Sequence, residues 1–138
     1  MIVLDTNVIS ELFRPVPDEK VLRWVEAQSA DELFTTAVSE AEIFRGIEAM
    51  PAGRRRANLF LATEAYFRRD LAGKILSFDS GAARHYAEIA ATRKRKGLAV
   101  SAFDTQIAAI ARTLGASLAT RNTKDFEMAG VPLINPWL

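Results

Sequence analysis

The sequence contains no cysteine and a single histidine among its 138 residues. Disulfide bonds and thiolate zinc sites are therefore excluded, and a reducing compartment is the natural expectation. No apolar run approaches the roughly 20 residues that a membrane-spanning helix requires. Asp5 also interrupts the apolar start of the chain before a signal peptide could form. We therefore expect a cytoplasmic protein that does not enter a membrane.

The composition is that of an ordinary globular protein. Hydrophobic residues make up 49% and charged residues 25% of a chain whose length suits one domain, spanning residues 1–138. Short apolar runs predict strands at 2–4, 33–36, 74–78, 117–120 and 133–135. Helices are expected after Asp5 and Asp18, from Ser39, and at 54–70, 80–96, 101–114 and 123–128. This alternation predicts an α/β fold with a small, mainly parallel sheet and helices on both faces.

The first residues of the chain bring a carboxylate to a strand end. Ile2, Val3 and Leu4 form an apolar run without a polar alternate, which is typical of a strand buried on both faces. Asp5 ends the run, and a helical spacing begins directly after it. Because ligands bind at the carboxyl ends of strands in open α/β sheets, Asp5 is a candidate site residue. The alternative is that Asp5 or Asn7 only caps the first helix.

Three later acids have similar positions near the predicted starts of helices. Each comes three residues after a potential capping residue: Glu42 after Ser39, Asp104 after Ser101, and Asp125 after Asn122. One interpretation is that these acids only stabilise helix N-termini. The other is that helix starts bring the carboxylates to one edge of the sheet. The helix that follows Asp104 has an almost wholly apolar body, which predicts that it is buried.

Four carboxylates in one place would repel one another and would have raised pKa values. A hard divalent cation, Mg²⁺ or Mn²⁺, is the usual solution, and it also bridges to phosphate. When Asp5, Glu42, Asp104 and Asp125 are set aside, 18 basic residues face 13 other acids, so the remainder has a net charge of +5 while the whole chain has +1. A basic surface around an acidic centre is expected to attract a polyanion to a metal site.

Four segments of the chain, taken together, resemble the signature blocks of PIN-domain ribonucleases. They are DTNVIS from Asp5, EIFRG from Glu42, DTQIAAIA from Asp104 and TRNTKDF from Thr120. With the terminal NPW that starts at Asn135, the resemblance spans the whole chain. It is closest to the VapC and FitB toxins of bacterial toxin–antitoxin pairs.

The resemblance implies a metal-dependent endoribonuclease that hydrolyses RNA phosphodiester bonds. The positions that match the family's acidic quartet are Asp5, Glu42, Asp104 and Asp125. Thr120 and Asn122 match polar supporting positions, and Asn7 is a further candidate for support. Asp5 and Asp104 are expected to be the primary ligands of Mg²⁺ or Mn²⁺, because each starts a well-buried element. The family also implies a homodimer and a cognate antitoxin, which blocks the active site and contacts DNA through its own domain.

Two other functions stay open on the sequence. A non-catalytic oligomeric binding module would use its acids only as helix caps. An aspartyl-nucleophile phosphatase would form an acyl-phosphate at Asp5, although Asn7 stands where a second aspartate is expected. Basic clusters that start at Arg54, Arg68 and Arg93 are expected either to form solvated helix faces or to contact RNA phosphates.

Overall fold

The computed structural model describes all 138 residues and contains one five-stranded sheet. Every pairing between neighbouring strands is parallel, so the sheet is wholly parallel where a mainly parallel one was predicted. The strand order is β3-β2-β1-β4-β5. The strands are β1 (Ile2–Leu4), β2 (Leu33–Thr36), β3 (Ile75–Leu76), β4 (Ser117–Ala119) and β5 (Leu133–Ile134).

Six α-helices accompany the sheet. They are α1 (Thr6–Leu12), α2 (Glu19–Ala27), α3 (Ala37–Glu48), α4 (Arg54–Ala65), α5 (Ser80–Arg95) and α6 (Ala102–Thr113). Two short 3-10 turns lie at Ala30–Glu32 and Thr123–Phe126, and a π-helical turn at Tyr66–Asp70 continues α4. No helix of the structure is long and apolar enough to cross a membrane.

The central strand β1 separates two apolar cores, as its apolar run predicts. Val3 is fully buried in a core formed mainly by α5, α6 and the segment after β4. Leu4, the next residue, is fully buried in a second core with α1, α2, α3 and the π-helical turn. Because successive side chains of a strand point to opposite faces, the two cores lie on opposite sides of the sheet. The prediction of helices on both faces is therefore confirmed.

The strand order places a topological switch point at β1. From β1 the chain proceeds outward to β2 and β3, and then returns to the other side of β1 to form β4 and β5. The carboxyl ends of β1 and β4 lie side by side, since Leu4 pairs with Ala119. Ligands of open α/β sheets bind at such a point. Asp5 and Thr120, the residues that directly follow these two strands, therefore stand at the expected place for a site.

Several predicted boundaries are wrong in detail. The strand predicted at 74–78 is only Ile75–Leu76, because β3 is an edge strand that pairs with β2 alone and then leaves the sheet. The helix predicted at 54–70 changes to a π-helical turn at Tyr66, and this turn carries Phe67 into the core. The helix predicted at 123–128 is a 3-10 turn that ends at Phe126.

The three basic clusters do not share one environment. The arginines of 54–56 lie at the start of α4 and are mostly exposed. Arg68 forms ion pairs with Glu40 and Glu64, both at 2.8 Å, so its charge is already partnered. The expectation of a solvated face is wrong for Arg93, which is only 7% exposed because it inserts between α5 and the neighbouring loops.

Candidate active site

Asp5 is a buried carboxylate held by hydrogen bonds to both of its oxygens. It is the N-cap of α1, and Oδ1 accepts a hydrogen bond from the backbone N–H of Thr6 at 2.8 Å. Oδ2 accepts a hydrogen bond from the Thr120 hydroxyl at 2.8 Å. The side chain therefore caps the helix, as one interpretation of the sequence requires, but only one of its oxygens does so. Its orientation is fixed from two neighbouring strand ends.

Thr120, Asn122 and Asn7 form a polar network behind Asp5. The Thr120 hydroxyl is fully buried and accepts hydrogen bonds from the Asn122 backbone N–H at 3.1 Å and from Nδ2 of Asn7 at 3.4 Å. Oδ1 of Asn7 accepts in turn from the Arg121 backbone N–H at 3.4 Å. The structure thus brings the three predicted supporting residues together. Asn7 joins the first turn of α1 to the segment that follows β4.

Glu42 approaches the site from the second turn of α3. The N-cap of α3 is Thr36, whose hydroxyl accepts from the Ser39 backbone N–H at 3.0 Å, so the predicted helix start at Ser39 is wrong. Glu42 consequently lies beyond the first turn, and the capping box that the Ser39 spacing suggested does not form. Instead, Oε1 of Glu42 accepts a hydrogen bond from the Thr6 hydroxyl at 2.8 Å. Thr6 itself lies directly after Asp5, which places the two acids on neighbouring elements.

Asp104 lies in the first turn of α6. Ser101 is the N-cap of this helix, and its Oγ accepts from the Asp104 backbone N–H at 3.3 Å, as the spacing predicts. The helix that follows is buried, and five successive residues from Ile107 to Ala111 belong to the core. Since a buried helix has a fixed axis, its first turn is fixed as well. The Asp104 side chain is half-buried at the edge of this element.

Asp125 lies on the 3-10 turn after β4 and is exposed. The Asn122 side chain makes no capping hydrogen bond, so the third predicted capping pair is wrong. Only the backbones of the two residues meet, with the Asp125 N–H donating to the Asn122 carbonyl at 3.0 Å. Phe126, the next residue, is buried in the core and anchors the turn. Asp125 therefore presents its carboxylate from an anchored loop.

The four acids are electrostatically linked through Asp104. The pKa of Asp5 is raised from 3.8 to about 6, mainly by burial and to a smaller extent by the charges of Asp104 and Glu42, while hydrogen bonds from Thr120 and Thr6 oppose the shift. The pKa of Asp104 is also raised, first by burial and then by the charges of Asp125 and Glu42. Asp104 thus lies within electrostatic reach of all three other acids.

None of these four acids forms an ion pair with a basic residue of the protein. The ion pairs of the structure all involve other acids, namely Glu11, Glu19, Asp31, Glu32, Glu40, Glu64 and Glu88. No three acidic or histidine side chains form a ready-made cage for a metal ion. The arrangement is therefore an excess of partly buried negative charge at the switch point, with its carboxylates spread over four elements.

Two functional candidates were missed in the sequence. Thr6 links Asp5 to Glu42, since its N–H donates to the first and its hydroxyl to the second. Ser39 is fully buried, and its Oγ lies 3.0 Å from the Thr6 hydroxyl, so it supports the same link. The signal for Thr6 was available, because a hydroxyl directly after a strand-ending aspartate can reach a neighbouring strand end. The spacing from Ser39 to Glu42 instead predicts that Ser39 is a helix cap.

Comparison with known proteins agrees with this architecture. The family model of the PIN domain matches residues 2–131. The chain is 46% identical over 137 residues to VapC ribonuclease Y4jK of Sinorhizobium fredii, with 99% of this chain and 98% of that protein covered. It is 37% identical over 137 residues to toxin FitB of Neisseria gonorrhoeae, with 99% of each chain covered.

Solved structures give the same assignment. The crystal structure of FitAcB from Neisseria gonorrhoeae has a TM-score of 0.94 at 37% identity, and the match covers 99% of both chains. The structure of FitAB bound to an IR36 DNA fragment also has a TM-score of 0.94 and covers 100% of this chain and 96% of the other. The chain belongs to the PIN-domain family, among the relatives of VapC and FitB.

Proposed function

We propose that this protein is a divalent-metal-dependent endoribonuclease that acts as the toxin of a toxin–antitoxin pair. The observation that carries the proposal is the buried, hydrogen-bonded carboxylate of Asp5, which lies at the switch point beside other acids and has no protein cation as a partner. Burying an uncompensated charge is costly in a protein interior. An external cation that enters during function would remove that cost.

The donor set fits Mg²⁺ or Mn²⁺. Carboxylate oxygens are the ligands that these hard cations take, and Mg²⁺ usually needs only one or two carboxylates because it keeps several waters. The absence of a ready-made three-residue cage is therefore compatible with such a site. Asp5 and Asp104 would hold the ion, and Glu42 and Asp125 would complete its surroundings. A bound divalent ion lowers the pKa of its water and neutralises charge that develops on a phosphate.

The residues of the chain have separable tasks in this proposal. Thr6 and Thr120 fix both oxygens of Asp5, so that this carboxylate cannot rotate away. Thr6 also engages Oε1 of Glu42, which leaves Oε2 to accept a proton from an attacking water. General base catalysis by a positioned side chain is worth roughly 10²–10⁴-fold in rate.

Basic side chains next to Asp125 would bind the RNA backbone. Arg121, Asn122, Thr123, Lys124 and Asp125 line an open cleft of about 310 Å³. Two of these five residues are cations. Contacts with phosphates supply most of the non-specific affinity of proteins for nucleic acids. RNA bound here would lie with its phosphates close to the acidic group.

The proposed toxin role is supported by the names of this chain's relatives. VapC ribonuclease Y4jK is named as a ribonuclease, FitB is named as a toxin, and FitAB is described in complex with DNA. We expect a cognate antitoxin protein to bind this chain, and DNA to be contacted only indirectly through the antitoxin. We also expect the chain to form a homodimer.

Cleavage of RNA by the purified protein tests the catalytic part. Wild type should cleave in Mg²⁺ or Mn²⁺ and stop in EDTA, and Asp5→Asn should be inactive. Asp79→Asn is a matched control, because Asp79 caps α5 through a hydrogen bond from the Ala82 N–H at 2.9 Å but lies outside the site. Cleavage in EDTA, or normal cleavage by Asp5→Asn, would contradict the proposal.

Co-expression tests the toxin part. Expression of wild type alone should arrest growth, and expression with the product of the adjacent gene should restore growth and suppress RNA cleavage. Asp5→Asn should not arrest growth but should still co-purify with the same product. An active RNase that causes no growth arrest would leave the enzyme assignment intact and exclude the toxin role.

A further inference from the structure

Arg93 has an unusual position for a member of a basic cluster. It lies in the last helical turns of α5, where Lys94, Arg95 and Lys96 are all exposed. Arg93 is only 7% exposed, and no acidic side chain lies within ion-pair distance of it. A buried charge without a carboxylate partner needs strong polar contacts to remain in place. The contacts that Arg93 makes are therefore informative.

The guanidinium of Arg93 joins two separate segments by hydrogen bonds to their carbonyl groups. Nε donates to the carbonyl oxygen of Ala99 at 2.9 Å, and Nη1 donates to the carbonyl oxygen of Glu127 at 2.8 Å. Ala99 lies two residues before Ser101, the N-cap of the helix that carries Asp104. Glu127 directly follows the 3-10 turn that carries Asp125. One planar group thus connects the two acid-bearing segments.

We infer that Arg93 is a positioning residue, which sets the separation between the α6 start and the 3-10 turn and thereby holds Asp104 and Asp125 together for the metal ion. This inference rests on the proposed metal site. The two carboxylates carry like charges and lie within electrostatic reach of each other, so they repel. Phe126 already anchors the turn in the core that α6 helps to form, so the cross-link by Arg93 fixes the fine separation of the two acid-bearing segments.

The choice of arginine suits this task. Its planar group presents several N–H donors in fixed directions, so it can bond two carbonyl oxygens at once with a defined angle between them. The guanidinium also carries a positive charge, which acts on Asp104 through space without forming an ion pair with it. Lysine would retain the charge but lose the fixed geometry. The charge and the geometry can therefore be separated by substitution.

The test compares Arg93→Lys and Arg93→Gln with wild type, and with Arg95→Gln as a control. Arg95 lies on the same helix and is exposed, and its side-chain contact is the Thr92 hydroxyl of that helix at 3.3 Å. The unfolding temperature of each variant is recorded, and two further quantities are measured on each folded protein. The first is amide hydrogen exchange of the metal-free form, and the second is the affinity for Mn²⁺ followed by calorimetry.

If Arg93 is a positioning residue, Arg93→Lys and Arg93→Gln should change amide exchange and Mn²⁺ affinity in the same direction. The Thr105 and Asp125 amides donate hydrogen bonds to the carbonyl oxygens of Ser101 and Asn122. Their hydrogen exchange should accelerate by roughly tenfold, while exchange in the body of α6 stays unchanged. Mn²⁺ affinity should fall by roughly 10- to 100-fold, as for other residues that orient metal ligands. Arg95→Gln should change neither quantity.

Other outcomes would overturn the inference. If Arg93 acted only through its charge, Arg93→Gln would bind Mn²⁺ more tightly, because a nearby positive charge is removed, and Arg93→Lys would bind it normally. If Arg93 were merely structural, unfolding temperature would fall while Mn²⁺ affinity stayed unchanged. A wild type that neither binds Mn²⁺ nor cleaves RNA would refute the proposed function itself. The exchange data alone would then test whether Arg93 links the start of α6 to the 3-10 turn. Unchanged exchange in the Arg93 variants would refute that link as well.

Discussion

Replacing Asp5 by asparagine should stabilise the metal-free protein at neutral pH. Burial and neighbouring acids raise the pKa of Asp5 from 3.8 to about 6. A shift of about two units corresponds to roughly 3 kcal/mol of unfavourable free energy for the ionised form. The amide avoids this cost but forms weaker hydrogen bonds with Thr6 and Thr120, which we value at about 1–2 kcal/mol. The net expectation is a gain of about 1–2 kcal/mol, or roughly 4–8 °C in unfolding temperature.

The sign of the pH dependence follows from the direction of the shift. An acid whose pKa is higher in the folded state binds more protons when folded, so its contribution to stability falls as pH rises. For Asp5 this loss begins near pH 4, where the unfolded chain ionises, and is complete above about pH 6. Asp5→Asn should therefore be less stable than wild type near pH 4, by up to the about 1–2 kcal/mol of its weaker hydrogen bonds, and more stable than wild type above pH 6. The stability difference between Asp5→Asn and wild type should narrow or change sign in Mg²⁺, because the ion stabilises wild type by binding its folded form.

Thermal unfolding in EDTA and in Mg²⁺, from pH 4 to pH 8, measures this effect. Asp79→Asn is the control, since Asp79 also caps a helix after a strand but is exposed. It should lose about 0.5–1 kcal/mol or less at every pH, as for the weakening of a helix cap. The reasoning would be refuted if Asp5→Asn were destabilised in EDTA at pH 8 to the same extent as this control.

Three further substitutions address the same site. Asp104→Asn should abolish RNA cleavage while unfolding in EDTA at the same temperature as wild type or higher, because like-charge repulsion is relieved; loss of stability with normal cleavage would contradict this. Thr120→Val removes a hydroxyl whose hydrogen bond lowers the pKa of Asp5, so the loss of metal-free stability should extend to higher pH in the unfolding titration. An unchanged midpoint of this loss would argue against the hydrogen bond between Thr120 and Asp5. Thr6→Val should reduce cleavage by about tenfold in a steady-state assay, since Glu42 loses its hydrogen bond. Unaffected cleavage would contradict a role for this hydrogen bond in positioning Glu42.

The central part of the fold could be predicted because its signals are local and strong. The run Ile2–Leu4 has no polar alternate, and the structure buries its side chains on both faces of the sheet. The predicted strand at 33–36 has the same bounds as β2. The edge of the sheet was less predictable. Phe78 extends the apolar pattern of β3 beyond Ser77, but pairing with one neighbour alone does not hold these two residues in the sheet.

The candidate site could be predicted only in part, because side-chain spacing does not reveal which hydroxyl meets which acid. Asp5 and Asp104 were placed correctly at the starts of α1 and α6. The spacing from Ser39 to Glu42 suggested a cap, whereas the cap is Thr36 and Glu42 is held by Thr6 across the sheet edge. Such a contact joins residues far apart in the chain. It depends on the register of β1 against β2, which no local pattern encodes.

Helix capping and a catalytic role were competing interpretations of the acids, but the structure makes them compatible. Asp5 caps α1 with one oxygen while the other is fixed by Thr120, and the α6 cap is supplied by Ser101 rather than by Asp104. A cap alone would be served equally well by an exposed residue such as Asp79, which raises no burial cost. Burial of Asp5 beside other acids instead lowers the stability of the metal-free protein at neutral pH. Local features that reduce stability without a structural gain are expected at functional sites. The burial of Asp5 is therefore stronger support for the proposed metal site than its position at a helix start.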